Sequence, residues 1–145
     1  MKLLLFACAG GALGAGARYL VGVGALRLLG VAEGFPWATL CVNIVGSFLM
    51  GLFIEYLALK GVSSSEVKVF VAVGILGGFT TFSAFSLEFV MLMQRKQELA
   101  AGVYVLSSVT LSILALYLGL LLARQVLAFM QAQRIACLDL TGGAP

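Results

Sequence analysis

The sequence predicts an all-α membrane protein with four transmembrane helices. Of its 145 residues, 62% are hydrophobic and only 10% are charged, and the mean hydropathy is +1.13. Soluble domains carry about 25% charged residues, so this chain is suited to lipid rather than to water. Because one membrane-spanning helix takes roughly 20 residues, the chain has room for about four spans, short connections and a small tail.

The composition also argues against several classes of function. The chain contains no histidine, which removes Ser-His-Asp and Cys-His catalysis and most transition-metal sites. We therefore expect a protein that is not an enzyme. Nine basic and six acidic residues give a net charge of +3, which is too small and too dispersed to indicate a nucleic-acid partner.

Two apolar stretches predict the first two helices. Helix 1 is expected from Leu3 to about Leu29, with Arg18 as the one charged residue before its last turn. It contains a G-x-x-x-G motif, Gly10–Gly14, which is typical of closely packed helices in membranes. Trp37 then stands where an aromatic residue at the membrane interface is expected, and helix 2 follows from Ala38 to Leu59.

Helix 3 is predicted from about Val67 to Met93, with serines before it that can cap its first turn. Inside it, Gly77-Gly78 and Thr80-Thr81 are poor helix formers, so we expect a break at membrane depth. Freed carbonyl groups suit a hard cation and freed amides suit an anion, which makes the break a candidate ion site. The alternative is a glycine pair that only lets two helices cross closely.

The last apolar run predicts helix 4 from about Leu99 to Leu122, closing at Arg124. We therefore divide the chain into a four-helix transmembrane domain over residues 1–124 and a C-terminal tail over residues 125–145. The tail is expected to be partly helical and then frayed.

Polar residues recur on one face of two of these helices. The repeat has a spacing of four and comprises Thr39, Asn43 and Ser47 on helix 2 and Tyr104, Ser108 and Ser112 on helix 4. Lipid offers no hydrogen-bond partners, so these groups either bond neighbouring helices together or line a track for a small solute. The spacing alone leaves both interpretations open.

Three phenylalanines follow the predicted break on one helix face: Phe82, Phe85 and Phe89. Such a stripe usually indicates packing. A phenyl ring also presents a positive edge, which can replace part of the hydration of a small anion, and Asn43 could donate its amide to the same ion.

Glu88 is expected well inside the membrane. A carboxylate at that depth must be protonated, paired or exposed to water. Arg18 is a possible partner, unless its long side chain instead reaches the nearer membrane surface.

Three segments together resemble the Fluc (CrcB) fluoride channel family. They are Gly10–Tyr19 on helix 1, Asn43–Phe48 on helix 2 and Gly77–Ser86 on helix 3. The third is the most specific, because it combines a glycine pair, two threonines and two phenylalanines three residues apart. The resemblance covers the chain from about Leu3 to Arg124.

The resemblance implies a passive, fluoride-selective channel in the inner (plasma) membrane, through which the cell loses toxic fluoride. It also implies an antiparallel, dual-topology homodimer with two pores. A structural sodium ion at the dimer centre is implied as well, with the backbone carbonyls of Gly77 and Thr80 as its ligands.

The same resemblance implies roles for individual side chains. Asn43, Phe82 and Phe85 look like the pore asparagine and the phenylalanine box of the family, with Ser83 near the path. Arg18 is similar to the family's arginine near the vestibule. The polar track that continues the pathway is implied for Thr39, Glu88, Tyr104, Ser108 and Ser112.

Two other functions fit parts of the sequence. A proton-coupled exporter of the small multidrug-resistance kind also has four helices, and it needs a membrane carboxylate that alternates between a proton and a cationic drug. Glu88 could serve, although helix 1 offers Arg18 instead of a carboxylate. A non-transporting assembly or lipid-interaction subunit would be compatible with the glycine and serine content alone.

The basic residues predict that the chain inserts into the membrane in both orientations. Five of them fall on the side of the two termini and three on the other side: Lys2, Lys60, Lys68, Arg124 and Arg134 against Arg27, Arg95 and Lys96. So small a difference gives only a weak orientation bias. C-terminal reporter fusions should therefore be detected on both sides, and two added lysines on one side should bias insertion. Active protein in a single orientation would contradict this prediction.

Overall fold

The computed structural model describes residues 1–29, 34–61 and 64–141, and within them the chain is helical with no β-strand. Four segments are long and apolar enough to cross a membrane: Lys2–Arg27, Trp37–Lys60, Ser65–Gln94 and Glu98–Gln133. The prediction of a four-span, multi-pass membrane protein is confirmed.

The third of the four spans is built from several helical pieces, whereas the other three spans are single helices. The elements in chain order are α1 (Lys2–Leu29), α2 (Trp37–Lys60), α3 (Ser65–Lys68), the π-helical segment π1 (Val69–Leu76), α4 (Gly77–Phe79), α5 (Phe82–Gln94) and α6 (Glu98–Thr141). The third span thus comprises α3, π1, α4 and α5, with a break between α4 and α5.

Local signals in the sequence explain two of the helix ends. Helix α2 stops at Gly61, whose positive φ of 62° suits glycine and whose N–H bonds back to the last turn. The third span begins after Ser64, whose hydroxyl accepts a hydrogen bond from the backbone N–H of Val67 at 3.3 Å. Helix α6 continues past Arg124 without interruption to Thr141, and residues 142–145 of the predicted tail lie outside the described residues.

Helix α1 packs backbone to backbone against the first half of the third span. A Cβ atom added at Gly10 would overlap the carbonyl oxygen of Phe70, and one added at Gly14 would overlap that of Ile75. Gly78 meets α1 at Gly11 in the same way. The interpretation of the G-x-x-x-G motif as a close helix contact is confirmed.

Helices α2 and α6 form the second closely packed pair. A Cβ atom at Gly51 would overlap the carbonyl oxygen of Leu116, and one at Gly119 would overlap that of Phe48. Because there is no hydrophobic force between helices in lipid, this close van der Waals contact is what holds the pair together.

An ion pair joins the same two helices beyond their glycine contact. Glu55 has only 7% of its surface exposed, and one of its carboxylate oxygens accepts a hydrogen bond from Nε of Arg124 at 2.6 Å. A carboxylate inside a spanning helix is costly unless it is paired, so the arginine makes Glu55 tolerable at this position.

The ion pair between Glu55 and Arg124 predicts which of its variants unfold at lower temperature. Arg124→Gln leaves a buried carboxylate without a cation, whereas Glu55→Gln together with Arg124→Gln leaves two neutral amides that can bond each other. We expect the single Arg124→Gln variant to melt at a lower temperature than the double variant. Thermal unfolding in detergent, followed through the single tryptophan, measures this order.

Lys60→Gln, at the end of α2, is the control for the loss of a positive charge as such. Equal melting temperatures for the single and double variants would contradict the prediction, because they would show that an unpaired Glu55 carboxylate carries no penalty at this position.

Candidate functional site

The break in the third span lies at the threonine pair. Thr80 and Thr81 have extended backbone conformations, with ψ angles of 157° and 124°, whereas Gly77 keeps helical angles. The prediction of a break is confirmed, but the part of it that placed the glycine pair in the break is wrong. The glycines stay helical because their missing side chains admit α1, and the break follows them.

Asn43 on α2 satisfies the backbone at the break. Its Oδ1 accepts a hydrogen bond from the N–H of Thr81 at 2.9 Å, and its Nδ2 donates to the carbonyl of Thr81 at 3.1 Å. The Thr81 hydroxyl in turn accepts from the N–H of Ala84 at 3.2 Å and caps α5. An amide nitrogen has two N–H groups, so one donor of Asn43 remains for another acceptor.

The backbone carbonyls that lose their helical partners as a result include those of Gly77 and Thr80. In a continuous helix, the carbonyl of Gly77 would accept from the N–H of Thr81, and that of Thr80 from the N–H of Ala84. Both N–H groups instead donate to side chains, those of Asn43 and Thr81. Gly77 and Thr80 are the two residues whose carbonyls the resemblance assigns to sodium.

A groove of about 380 Å³, which we call the phenylalanine groove, lies beside the break. Its polar and aromatic lining comprises Asn43, Ser47, Thr80, Thr81, Phe82, Phe85, Ser108 and Ser112, and none of its lining residues is charged. The hydroxyls of Ser108 and Ser112 are buried and have no hydrogen-bond partner within the described part of the chain.

The two phenylalanines of this groove differ in exposure. Phe82 is 77% exposed and Phe85 only 8%, and their ring centroids are 5.5 Å apart. Phe89, the third member of the predicted stripe, instead packs against the buried cluster that contains Leu40 and Tyr104. The stripe therefore divides into an exposed groove residue, Phe82, a residue that belongs both to the groove and to the buried cluster, Phe85, and a residue that only packs against the cluster, Phe89.

Glu88 is bound by two hydroxyl groups. Thr39 donates to one carboxylate oxygen at 2.8 Å, and Tyr104 donates to the other at 2.6 Å. Both carboxylate oxygens are therefore bound by side chains from other helices, α2 and α6. Among the described residues, Arg18 forms no ion pair with Glu88, so the possible partnership between them is not realised.

Two further grooves flank these residues. The glutamate groove, about 410 Å³, is lined by Glu88 and Thr39 together with the aromatic residues Tyr19, Phe35 and Trp37. The arginine groove, about 360 Å³, is lined by Arg18, Tyr19, Thr39 and Thr81. Thr39 borders both of these grooves, and Thr81 borders both the arginine and the phenylalanine groove.

Ser83, which the resemblance places near the fluoride path, lies beside the helix break. Ser83 does not line the phenylalanine groove, and its hydroxyl lies 3.3 Å from the hydroxyl of Thr81. It therefore touches the break rather than the groove.

Two residues with clear roles in the structure have no place in the sequence prediction. Glu55 and Phe35 both contact α6. Glu55 carries a signal that could have found it, because it is the single charged residue between Trp37 and Leu59. Phe35 carries none, since an aromatic residue next to a proline turn is ordinary.

The fold and these grooves define a class of protein. Within the described residues, one of four spans is broken beside an uncharged groove whose buried hydroxyls have no partners, an arrangement typical of proteins that move a small solute across the membrane.

Comparison with known proteins identifies the family. The family model described as CrcB-like protein, Camphor Resistance (CrcB), matches residues 5–120. A fluoride-specific ion channel FluC from Mesorhizobium japonicum is 56% identical over 123 residues, covering 85% of this chain and 97% of that protein. Proteins of the same name from Chelativorans sp. and Caulobacter vibrioides are 55% and 52% identical, and each covers 88% of this chain and 100% of its own length.

The chain belongs to the CrcB family, and the resemblance seen in the sequence is confirmed. Because the family is one of ion channels, the prediction that the protein is not an enzyme is also confirmed.

Proposed function

We propose that the protein is a fluoride-selective channel through which fluoride leaves the cell passively across the inner membrane. The relatives described above are named for that activity. In this chain, the observation that carries the proposal is the pair of buried hydroxyls without partners, Ser108 and Ser112, facing an uncharged groove. A hydroxyl without an acceptor is a donor available to an anion.

The remaining lining of the phenylalanine groove fits the same ion. Fluoride is small and strongly hydrated, so a pore must replace its water with hydrogen-bond donors and positive ring edges. Asn43 offers its second N–H, and Phe82 and Phe85 offer their rings. A lining without fixed positive charge can strip the ion of water without trapping it.

The other predicted residues extend this path. Arg18 in the arginine groove provides positive potential that draws anions toward Thr81 and Asn43. Thr39, Glu88 and Tyr104 form a hydrogen-bonded chain that continues the polar track of Ser108 and Ser112. Ser83, through its contact with Thr81, supports the break beside the path.

The proposal includes an antiparallel homodimer with two pores. Phe82 is largely exposed, and the phenylalanine groove is open along one side, so a second copy of the chain would complete its wall. Two copies in opposite orientations would also bring their helix breaks to one axis.

A structural sodium ion fits the break. The carbonyls of Gly77 and Thr80 have lost their helical donors, and carbonyl oxygens are ligands that suit a hard cation. In the dimer, these carbonyls from both subunits would hold the ion, which would supply fixed positive charge between the two pores. Asn43 keeps the break open, because it occupies the N–H of Thr81 that would otherwise close the helix.

One observation favours the alternative of a proton-coupled exporter. Glu88 lines a groove together with three aromatic side chains, a setting that could hold an organic cation. The two functions differ in what they move, so proteoliposomes that release fluoride without a proton gradient support the channel. Uptake of a quaternary ammonium dye driven by protons would support the exporter.

The first functional prediction separates pore chemistry from core packing. Phe82→Ile and Phe85→Ile keep apolar bulk but remove the ring edges, so each should slow fluoride efflux by roughly tenfold, equivalent to about 1.4 kcal/mol in the barrier. Asn43→Asp replaces a hydrogen-bond donor with a negative charge and should also slow fluoride efflux. A fluoride electrode outside loaded proteoliposomes measures the efflux.

Phe89→Ile is the matched control, since Phe89 lies on the same helix and packs against the buried cluster that contains Phe85, but does not line the groove. If all three phenylalanine variants lose flux equally and in proportion to lost stability, the phenylalanines are structural and the site is misassigned.

Removal of sodium tests the proposed cation site at the helix break. Replacing sodium with a bulky organic cation at constant ionic strength should lower fluoride flux, because the freed carbonyls would lose their counter-charge. Removal of the Thr80 side chain, as in Thr80→Ala, should matter less, since the proposed ligands are main-chain atoms. Unchanged flux after prolonged dialysis, with no sodium remaining by atomic absorption, would count against a required cation.

A further inference from the structure

Phe35 lies in the short connection before α2, and its position is set by the backbone rather than by a helix. It is preceded by Gly34, whose φ is 69°, and followed by Pro36, which restricts the preceding residue to extended conformations. Its carbonyl accepts a hydrogen bond from the N–H of Trp37 at 2.9 Å. These constraints fix the direction in which the Phe35 side chain leaves the chain.

The Phe35 side chain reaches the ring of Tyr104 on α6. The two ring centroids are 5.6 Å apart and the planes meet at 80°, an edge-to-face contact. On its other side, Phe35 lies 4.5 Å from the ring of Trp37. Tyr104 in turn contacts Phe85 at 5.2 Å, so a continuous row of rings joins the start of α2 to the phenylalanine groove.

Tyr104 is completely buried, and its hydroxyl donates a hydrogen bond to the Glu88 carboxylate at 2.6 Å. The hydroxyl stands at the far end of a rigid ring, so a small tilt of the ring displaces the oxygen and weakens so short a bond. Helix α6 positions the Cα atom of Tyr104, but the tilt of the ring depends on what packs against its faces and edges.

We propose that Phe35 is a positioning residue for fluoride permeation, which holds the Tyr104 ring so that its hydroxyl stays bonded to Glu88. This inference rests on the proposed function, because it assigns Tyr104 and Glu88 to the polar track. Phe35 lines the glutamate groove and not the phenylalanine groove, and its contact with the Tyr104 ring is the one through which it acts.

The test is a double-mutant cycle of Phe35→Leu and Tyr104→Phe. Phe35→Leu removes the ring that contacts Tyr104, and Tyr104→Phe keeps that ring but removes the hydroxyl. Each single variant should slow fluoride efflux by roughly three- to tenfold, as expected for the loss of one ordinary side-chain hydrogen bond. The double variant should be no slower than Tyr104→Phe alone, because both changes remove the same bond.

Two further variants separate positioning from general packing. Phe35→Tyr keeps an aromatic ring and should retain nearly full efflux. Phe89→Leu truncates another half-buried phenylalanine of the same core and should leave efflux nearly unchanged. If Phe35→Leu does not fold, Phe35→Met, which keeps the length of the side chain without a ring, takes its place in the cycle.

Effects that multiply in the double variant, or equal losses from Phe35→Leu and Phe89→Leu, would overturn the inference. The same four proteins of the cycle are also melted in detergent, where Phe35→Leu should lower the melting temperature less in the Tyr104→Phe background. This measurement decides whether the two residues are coupled even if the wild-type protein passes no fluoride. Absent flux would therefore reject the proposed function, and absent coupling would reject the role of Phe35.

Discussion

The two hydrogen bonds between the side chain of Asn43 and the backbone of Thr81 are the interaction on which the site depends. A spanning helix cannot be interrupted in lipid unless its freed N–H and carbonyl groups find partners within the protein. Asn43 supplies one acceptor and one donor to the same residue. Without them, the third span would regain its helical bonds, and the carbonyls of Gly77 and Thr80 would no longer be free. The start of α5, and with it the positions of Phe82 and Phe85, would change as well.

Glycine contacts hold the helices on each side of the site at fixed distances. Helix α1 meets the first half of the third span through Gly10 and Gly14, and α2 meets α6 through Gly51 and Gly119. A groove that must discriminate a small ion needs a fixed width, and backbone-to-backbone contact is less yielding than contact between flexible side chains. Gly46 has a related role, since a Cβ atom there would overlap the methyl group of Thr80.

Hydropathy and length were sufficient to predict the four spans, with starting residues within two positions of those in the structure, because both properties are local. The existence of the break was also predictable, since glycine and threonine are poor helix formers. Its position was not, because Gly77 and Gly78 remain helical for a tertiary reason, the approach of α1. The partners of Glu88 come from α2 and α6, and a four-residue spacing places side chains on a face without showing what that face meets. The choice of fluoride came from the family motif and not from the polar residues themselves.

Helix α6 is much longer than a membrane-spanning helix needs to be. Its 44 residues span about 66 Å, roughly twice the 30 Å thickness of the hydrocarbon core. Its last turns, beyond the residues that pack against α2, therefore form a helical rod that continues the segment carrying Ser108 and Ser112. A protein fused to the end of this rod by a continuous helix would have a defined rotational phase relative to those two serines, and each residue inserted at the junction would turn it by about 100°. Fusions at the end of the rod can therefore place a fluorophore, or a particle for electron microscopy, at chosen angles around the channel axis.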